Sequence, residues 1–172
     1  MLAGFFIRIR WFVESGCFSK LSISHPPFRG RVSPRGIYND TELVMRKVVP
    51  SGSPFESRIG FSRAVRVGQI VAVSGTAPIA PDGTVACPGN VYGQTRRCLE
   101  IIAQAVADSG LSLETIVRTR IMLTDISQWE AAARAHGEFF ASVRPASTFI
   151  EVKGFINPEW LVEVEADCVA ES

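Results

Sequence analysis

The last patterned run of the chain, LVEVEADCV at residues 161–169, alternates between apolar and acidic side chains. A period of two is typical of a β-strand, because successive side chains point to opposite faces of a sheet. Two earlier runs, IVRTRIML at 116–123 and STFIEVK at 147–153, alternate in the same way. We assign three apolar rows to a covered face: Val117/Thr119/Ile121/Leu123, Thr148/Ile150/Val152 and Val162/Val164/Ala166/Cys168. The pattern therefore predicts a sheet with helices packed on one side.

Two stretches with side chains at helical spacing are predicted to form the helices on the covered face. The first stripe is Val91, Thr95, Cys98, Ile102 and Ala105, and the second is Trp129, Ala133, His136 and Phe140. Asn90 is the predicted cap of the first helix, and Ser127 with Glu130 forms a predicted capping box for the second.

Three short extended runs precede the helices: MRKVV, SRAVRVG and QIVAVSG, the last two forming a hairpin at Val67-Gly68. The predicted order is β-β-β-α-β-α-β-β. The final two strands are expected to be antiparallel neighbours, because the loop between them is too short for a parallel crossover. We expect an α+β fold, with a mixed sheet and both helices on one face.

The rows on the opposite face mix charges with a few apolar residues. They are Arg118/Arg120/Met122, Ser147/Phe149/Glu151/Lys153 and Leu161/Glu163/Glu165/Asp167. A solvent-facing sheet explains such a mixture. So does an assembly face, where ion pairs and apolar anchors meet a second subunit. The pattern alone does not choose between the two.

Composition bounds the function. The chain has 172 residues, 47% of them hydrophobic, which is enough for one domain with its own core. A net charge of +1 argues against a nucleic-acid partner. The four cysteines match no zinc pattern, and Cys98 and Cys168 are interpreted as buried apolar residues. A reducing cytoplasm is the expected location.

Residues 1–44 differ from the patterned part of the chain. The segment MLAGFFIRIRWFVESGCFSK is too short and too charged to span a bilayer, and ISHPPFRGRVSPRG is aperiodic. We interpret 1–44 as a disordered or mis-started N-terminal extension, with a transit peptide as the alternative. The folded domain is expected at residues 45–172.

Histidine is scarce, which restricts the chemistry. Of the two histidines, His25 lies in the extension and His136 lies on the second helical stripe. No Ser/His/Asp set, phosphate-binding loop or metal-ligand spacing is present in the sequence. We therefore expect no metal site.

Several segments together resemble the Rid family of reactive intermediate deaminases, also labelled YjgF or endoribonuclease L-PSP proteins. They are VRVGQIVAVSGTAPIAPDGTV, YGQTRRCLEIIAQAVADSG, IVRTRIMLTDISQWE, GEFFASVRPASTFIEV and WLVEVEADCVA. The resemblance implies a chorismate-mutase-like fold and a homotrimer with ligand clefts between subunits. In active members it implies hydrolysis of imines and enamines such as 2-aminoacrylate to 2-oxo acids and ammonia, with neither a metal nor an organic cofactor.

The resemblance also implies roles for individual residues. Glu163 corresponds to the glutamate that positions and polarises the attacking water, and Ser74 to a cleft serine. Phe61 stands at the place of a cleft tyrosine, and Phe149 at the place of a cysteine. An asparagine of some members falls on Ala133. Most importantly, Ser147 stands where the family's carboxylate-gripping arginine is expected.

Loss of that arginine places the chain in an arginine-lacking subgroup. A charge-assisted pair with a buried carboxylate is worth about 2–5 kcal/mol, or a factor of about 30 to several thousand in binding. We therefore expect 2-imino acid deamination to be weak or absent. Arg120 or Arg144 is a possible substitute, the alternative being that they pair with Glu151, Glu163 or Glu165.

Three functions follow. The first is an enzyme-like trimer that acts on a small imine, enamine or carbonyl-derived metabolite, with Glu163 as acid/base. The second is a non-catalytic trimer that binds a small ligand or a protein. The third, ribonuclease or translation inhibition, is disfavoured by the balanced charge.

Overall fold

The computed structural model describes residues 45–171, which form six strands and three α-helices around one sheet. In chain order they are β1 Arg46–Val49, α1 Glu56–Ile59, β2 Ala64–Val67, β3 Ile70–Thr76, α2 Val91–Asp108, β4 Ile116–Leu123, α3 Trp129–Phe140, β5 Ala146–Glu151 and β6 Val162–Val169. The mixed α+β architecture expected from the sequence is confirmed. The predictions for residues 1–44 concern a segment outside the described residues.

Local sequence features predicted most of the strands and helices correctly. Val67 pairs with Ile70 across a two-residue turn in which Gly68 has φ 59°, a conformation that favours glycine. The Asn90 side chain accepts a hydrogen bond from the Gly93 amide at 2.9 Å, so the predicted cap of α2 is confirmed. All five residues of the first helical stripe are buried.

The start of α3 differs from the prediction. The Ser127 hydroxyl donates to the Asp125 carboxylate at 2.6 Å, and that carboxylate also accepts the Ser127 amide. The capping box of Ser127 with Glu130 is therefore wrong, because Asp125 caps a short 3-10 turn before the helix. The helix is also rotated relative to the predicted stripe. Trp129 is 48% exposed, and the buried residues are Ala132, Ala135 and Phe140.

The strand order is β1-β2-β3-β6-β4-β5, with β5 parallel to β4 and the other pairs antiparallel. The prediction that the last two strands are neighbours is therefore wrong, because β4 lies between them. Residues 152–161 connect β5 to β6. This loop has to pass β4, which means crossing two strand spacings, or about 10 Å, and that distance is well within its reach.

Two predictions of side-chain direction are also wrong. In β4 a bulge follows Ile116, so Ile116 is buried and Val117 is 47% exposed. In β5 the whole row is reversed. Ser147 pairs with Thr119, and Phe149 pairs with the fully buried Ile121, so Ser147 and Phe149 lie on the helix-facing side.

The register with β4 decides the direction of β5. Thr148 and Ile150 share the open face with Arg120 and Met122, and Ile150 is 40% exposed. Both rows of β5 carry apolar side chains, so its alternation does not reveal which side is covered. By contrast, the predicted core row of β6 is confirmed, with Val162, Val164, Ala166 and Cys168 buried.

The core lies between the sheet and the two long helices. It includes Leu99 and Ile102 of α2 and Phe140 of α3 against the inner rows of β3, β4 and β6. Cys98 and Cys168 are fully buried, as expected. Among residues 45–171, no helix combines the length and the apolar character that a membrane crossing requires.

Candidate functional site

Glu163 occupies the open face of the sheet, beside a bulge in β3. The bulge falls between Val73 and Thr76, and it brings the Gly75 backbone close to the Glu163 carboxylate. A Cβ atom at Gly75 would lie 3.0 Å from Glu163 Oε2. The absence of a side chain at Gly75 allows the carboxylate to lie this close to the backbone. The neighbouring Ser74 donates its amide and its hydroxyl to the Arg63 carbonyl, at 3.0 and 3.2 Å.

The surroundings of Glu163 favour its protonated form. Burial raises the pKa of the Glu163 carboxyl, the charge of Glu165 raises it further, and Arg63 opposes the shift. The Arg63 guanidinium donates to Thr76 Oγ1 at 2.8 Å and to the Gly75 carbonyl at 3.3 Å. A carboxyl whose pKa is moved toward neutrality is suited to general acid/base chemistry.

Ser147 takes part in a second group, which we call the hydroxyl-imidazole cluster: Thr119, His136 and Ser147. Thr119 Oγ1 lies 2.8 Å from Ser147 Oγ and 2.9 Å from His136 Nε2. Ser147 Oγ also lies 3.4 Å from His136 Nε2 and donates to the Pro145 carbonyl at 3.1 Å. Strands β4 and β5 thus present two hydroxyls to one imidazole of α3.

The imidazole of this cluster is held in apolar surroundings. The His136 ring centroid lies 4.6 Å from that of Phe140 and 6.1 Å from that of Phe149. Burial lowers the pKa of His136 below its usual value. The ring is therefore neutral at neutral pH, and one nitrogen donates while the other accepts.

The two arginines considered as substitutes have different surroundings. Arg120 is on the open face and lies 3.0 Å from Glu165 and 3.8 Å from Asp167. The expectation that Arg120 shares a face with Ser147 is wrong, because the register of β5 puts them on opposite sides of the sheet. Arg144 is exposed just before β5, with φ 54°, and its Nε donates to the Ala141 carbonyl at 3.3 Å.

Two predicted residues remain, Phe61 and Phe149. Phe61 is half-buried in the segment that leads into β2, and its amide donates to the Glu56 carbonyl at 3.3 Å. Phe149 packs against the core beside His136. Glu163 and Ser147 therefore belong to opposite faces of the sheet. Within residues 45–171, no cluster of potential metal ligands occurs.

Sequence reasoning missed Thr119 and the contribution of His136. Thr119 lies 17 residues from His136 and 28 from Ser147, so their meeting depends on long-range packing. A polar residue in the apolar row of β4 was the available signal. Thr119 is fully buried, and a buried hydroxyl requires a partner.

Comparison with known proteins identifies the class. The profile of the endoribonuclease L-PSP family matches residues 52–170. An uncharacterized protein of Streptomyces coelicolor, SCO2049, is 41% identical over 127 residues, which cover 74% of this chain and 92% of that protein. The 3-aminoacrylate deaminase RutC of Acinetobacter baylyi is 30% identical over 117 residues, covering 68% and 91%.

A solved structure has the same fold. The crystal structure of Rv2704 from Mycobacterium tuberculosis, a member of the YjgF/YER057c/UK114 family, is 41% identical with a TM-score of 0.66. The match covers 73% of this chain and 100% of that one. The chain therefore belongs to the endoribonuclease L-PSP family of YjgF and RutC proteins, the Rid family.

Proposed function

We propose that this Rid-family protein acts on a small imine, enamine or carbonyl-derived metabolite, with Glu163 as the acid/base that positions a water molecule. The observation that carries the proposal is the Glu163 carboxylate beside Gly75, with its pKa raised by burial. Because its pKa is raised, the Glu163 carboxyl keeps its proton to a higher pH and can deliver it to a leaving amine. The resulting carboxylate can then accept a proton from water. The relative named as a 3-aminoacrylate deaminase supports this reaction class.

The proposed cleft lies between copies of the chain. Glu163 lies on the open face and Ser147 lies on the helix-facing side, so one small ligand reaches both only if two copies contribute. The open face also carries exposed apolar residues that a partner would cover: Val48, Val67, Ile70, Ile150 and Val169. We propose the family's homotrimer, with a chorismate-mutase-like arrangement and a cytoplasmic location.

We further propose that 2-imino acid deamination is weak, as in an arginine-lacking subgroup. Ser147 makes its hydrogen bonds to neutral groups, whereas a carboxylate is bound best by a charged bidentate donor. Arg120 is engaged by Glu165 on the other face. The same observations favour a second candidate, a ligand-binding trimer that does not catalyse.

A deaminase assay separates these functions. A serine/threonine dehydratase generates 2-aminoacrylate or 2-iminobutanoate, and loss of the imine is followed with the wild type, Ser147→Arg and Glu163→Gln. We expect weak activity in the wild type and higher activity in Ser147→Arg. Adding Glu163→Gln to Ser147→Arg should abolish that gain. Glu130→Gln, an exposed carboxylate of α3, is the matched control and should change nothing.

Two outcomes would reject parts of the proposal. Strong wild-type activity would show that Ser147 does not weaken binding of the carboxylate. Activity unaffected by Glu163→Gln would remove the acid/base role. No activity in any variant, together with measurable ligand binding, would favour the non-catalytic trimer. The mass of the assembly, measured by light scattering, tests the trimer independently.

A further inference from the structure

The hydroxyl-imidazole cluster has one exposed member and one buried member. Ser147 is exposed at the edge strand of the sheet, whereas Thr119 is fully buried beneath it. His136 is half-buried behind both. A ligand at the edge of β5 therefore meets Ser147 first, while Thr119 and His136 determine what that hydroxyl can donate or accept.

The tautomer of His136 decides whether the Ser147 proton can reach an acceptor outside the cluster. If His136 Nε2 carries a proton, it donates to Thr119, Thr119 donates to Ser147, and Ser147 donates outward or to the Pro145 carbonyl. If Nε2 is bare, Thr119 donates to it instead and Ser147 donates to Thr119, so only the first arrangement leaves the Ser147 proton for another acceptor. The first arrangement is a chain in which each bond polarises the next.

The cluster is suited to neutral partners. The rings of Phe140 and Phe149 flank His136. Within residues 45–171, the cluster's hydrogen bonds join it to its own members and to the Pro145 carbonyl, and none comes from a lysine or an arginine. A carboxylate bound to this cluster would exchange hydration for a single neutral hydroxyl donor, which is costly. A carbonyl oxygen needs one donor, which Ser147 provides.

We infer that Ser147, Thr119 and His136 form a specificity-determining subsite for the uncharged carbonyl of an amide or ester. The proposed ligand thus has a neutral carbonyl where deaminase substrates have a carboxylate. The inference rests on the proposed function, because it names the substrate class of that cleft. His136 and Thr119 act through Ser147 as positioning residues. The apolar ring of Phe149 beside them favours a ligand with little further charge.

A matched pair of ligands tests the inference: pyruvamide and pyruvate, which differ in the charge of one group. Dissociation constants are measured by NMR titration, with the His136 side-chain nitrogen signals followed in the same spectra. Wild type is expected to bind pyruvamide at least about tenfold more tightly. The His136 signals should move with pyruvamide, because the hydrogen-bonded chain connects the ring to the ligand.

Paired variants separate a specificity role from a purely structural one. Ser147→Ala should weaken pyruvamide binding about three- to tenfold and leave pyruvate unchanged, whereas Ser147→Thr keeps the hydroxyl and the preference. His136→Phe should weaken pyruvamide binding as Ser147→Ala does, and His136→Gln should retain part of the preference for pyruvamide. Ser147→Arg should reverse it. Thermal melts of each variant establish that it is folded.

The outcomes distinguish this inference from the proposed function. Three results would overturn the subsite and leave the role of Glu163 standing. They are equal affinities for the two ligands, a wild-type preference for pyruvate, or equal losses of affinity for both ligands in Ser147→Ala. Glu163→Gln should not alter the affinity ratio. If neither ligand binds to any folded variant, the subsite is rejected together with the ligand cleft.

Discussion

Gly75→Ala is the substitution that most directly tests the geometry around Glu163. The added methyl group would lie 3.0 Å from Glu163 Oε2, so the carboxylate must move by about 0.4 Å to reach an ordinary contact distance. Gly75 is not among the glycines with positive φ, so alanine can adopt its backbone conformation. The carboxylate is the end of a flexible side chain that can swing toward water.

The expected cost to folding is therefore small, below about 1 kcal/mol, whereas tighter overpacking in a core costs about 1–3 kcal/mol. The effect should appear in the pKa of Glu163. Because burial is the main cause of its raised pKa, movement toward water should lower the pKa toward its ordinary value. NMR titration of carboxyl-labelled glutamate measures the pKa, and urea unfolding measures the stability.

Gly137→Ala is the matched control. A Cβ atom at Gly137, inside α3, meets nothing within 4 Å. Alanine there should stabilise the protein by about 0.5–1 kcal/mol and leave the Glu163 titration unchanged. An unchanged Glu163 pKa in Gly75→Ala, or destabilisation beyond about 2 kcal/mol, would show that the contact is described wrongly.

Three further predictions concern stability. Since the pKa of Glu163 is raised on folding, the stability that this carboxyl contributes is fully present below about pH 4.5 and is lost as the pH rises. Glu163→Gln should therefore raise the melting temperature at about pH 7.5 but not at about pH 4. The pKa of His136 is lowered on folding, so stability should fall as the pH drops below about 6.5. His136→Gln should flatten that fall in thermal melts, and an unaltered profile would contradict the buried, neutral ring. Asn90→Ala should cost about 1 kcal/mol in urea unfolding, because the Gly93 amide loses its acceptor; a cost near zero would mean that the cap is not formed.

Sequence patterns were sufficient wherever a local rule applied. The cap at Asn90, the turn at Gly68 and the buried row of β6 are each confirmed. These features depend on residues close together in the chain, or on an alternation in which one row is clearly apolar and the other acidic. The same local rules, together with the resemblance to a family, nominated Glu163 and Ser147.

Tertiary structure alone decided the direction of Ser147. A period of two shows that neighbouring side chains oppose one another, but which row faces the helices depends on pairing with another strand. In β5 both rows contain apolar residues, and the register with β4 turned Ser147 and Phe149 toward α3. The bulge in β4 likewise exposed Val117, although the sequence run is uninterrupted.

The chain by itself thus determined the elements other than the short helix α1, the family and the absence of arginine at residue 147. Packing determined what stands beside that serine: the buried hydroxyl of Thr119, 28 positions away in the chain, and the neutral imidazole of His136, 11 positions away. It also separated Ser147 from Glu163 by placing them on opposite faces of one sheet. The physical reason is that strand register and helix docking are long-range choices, which no short stretch of sequence encodes.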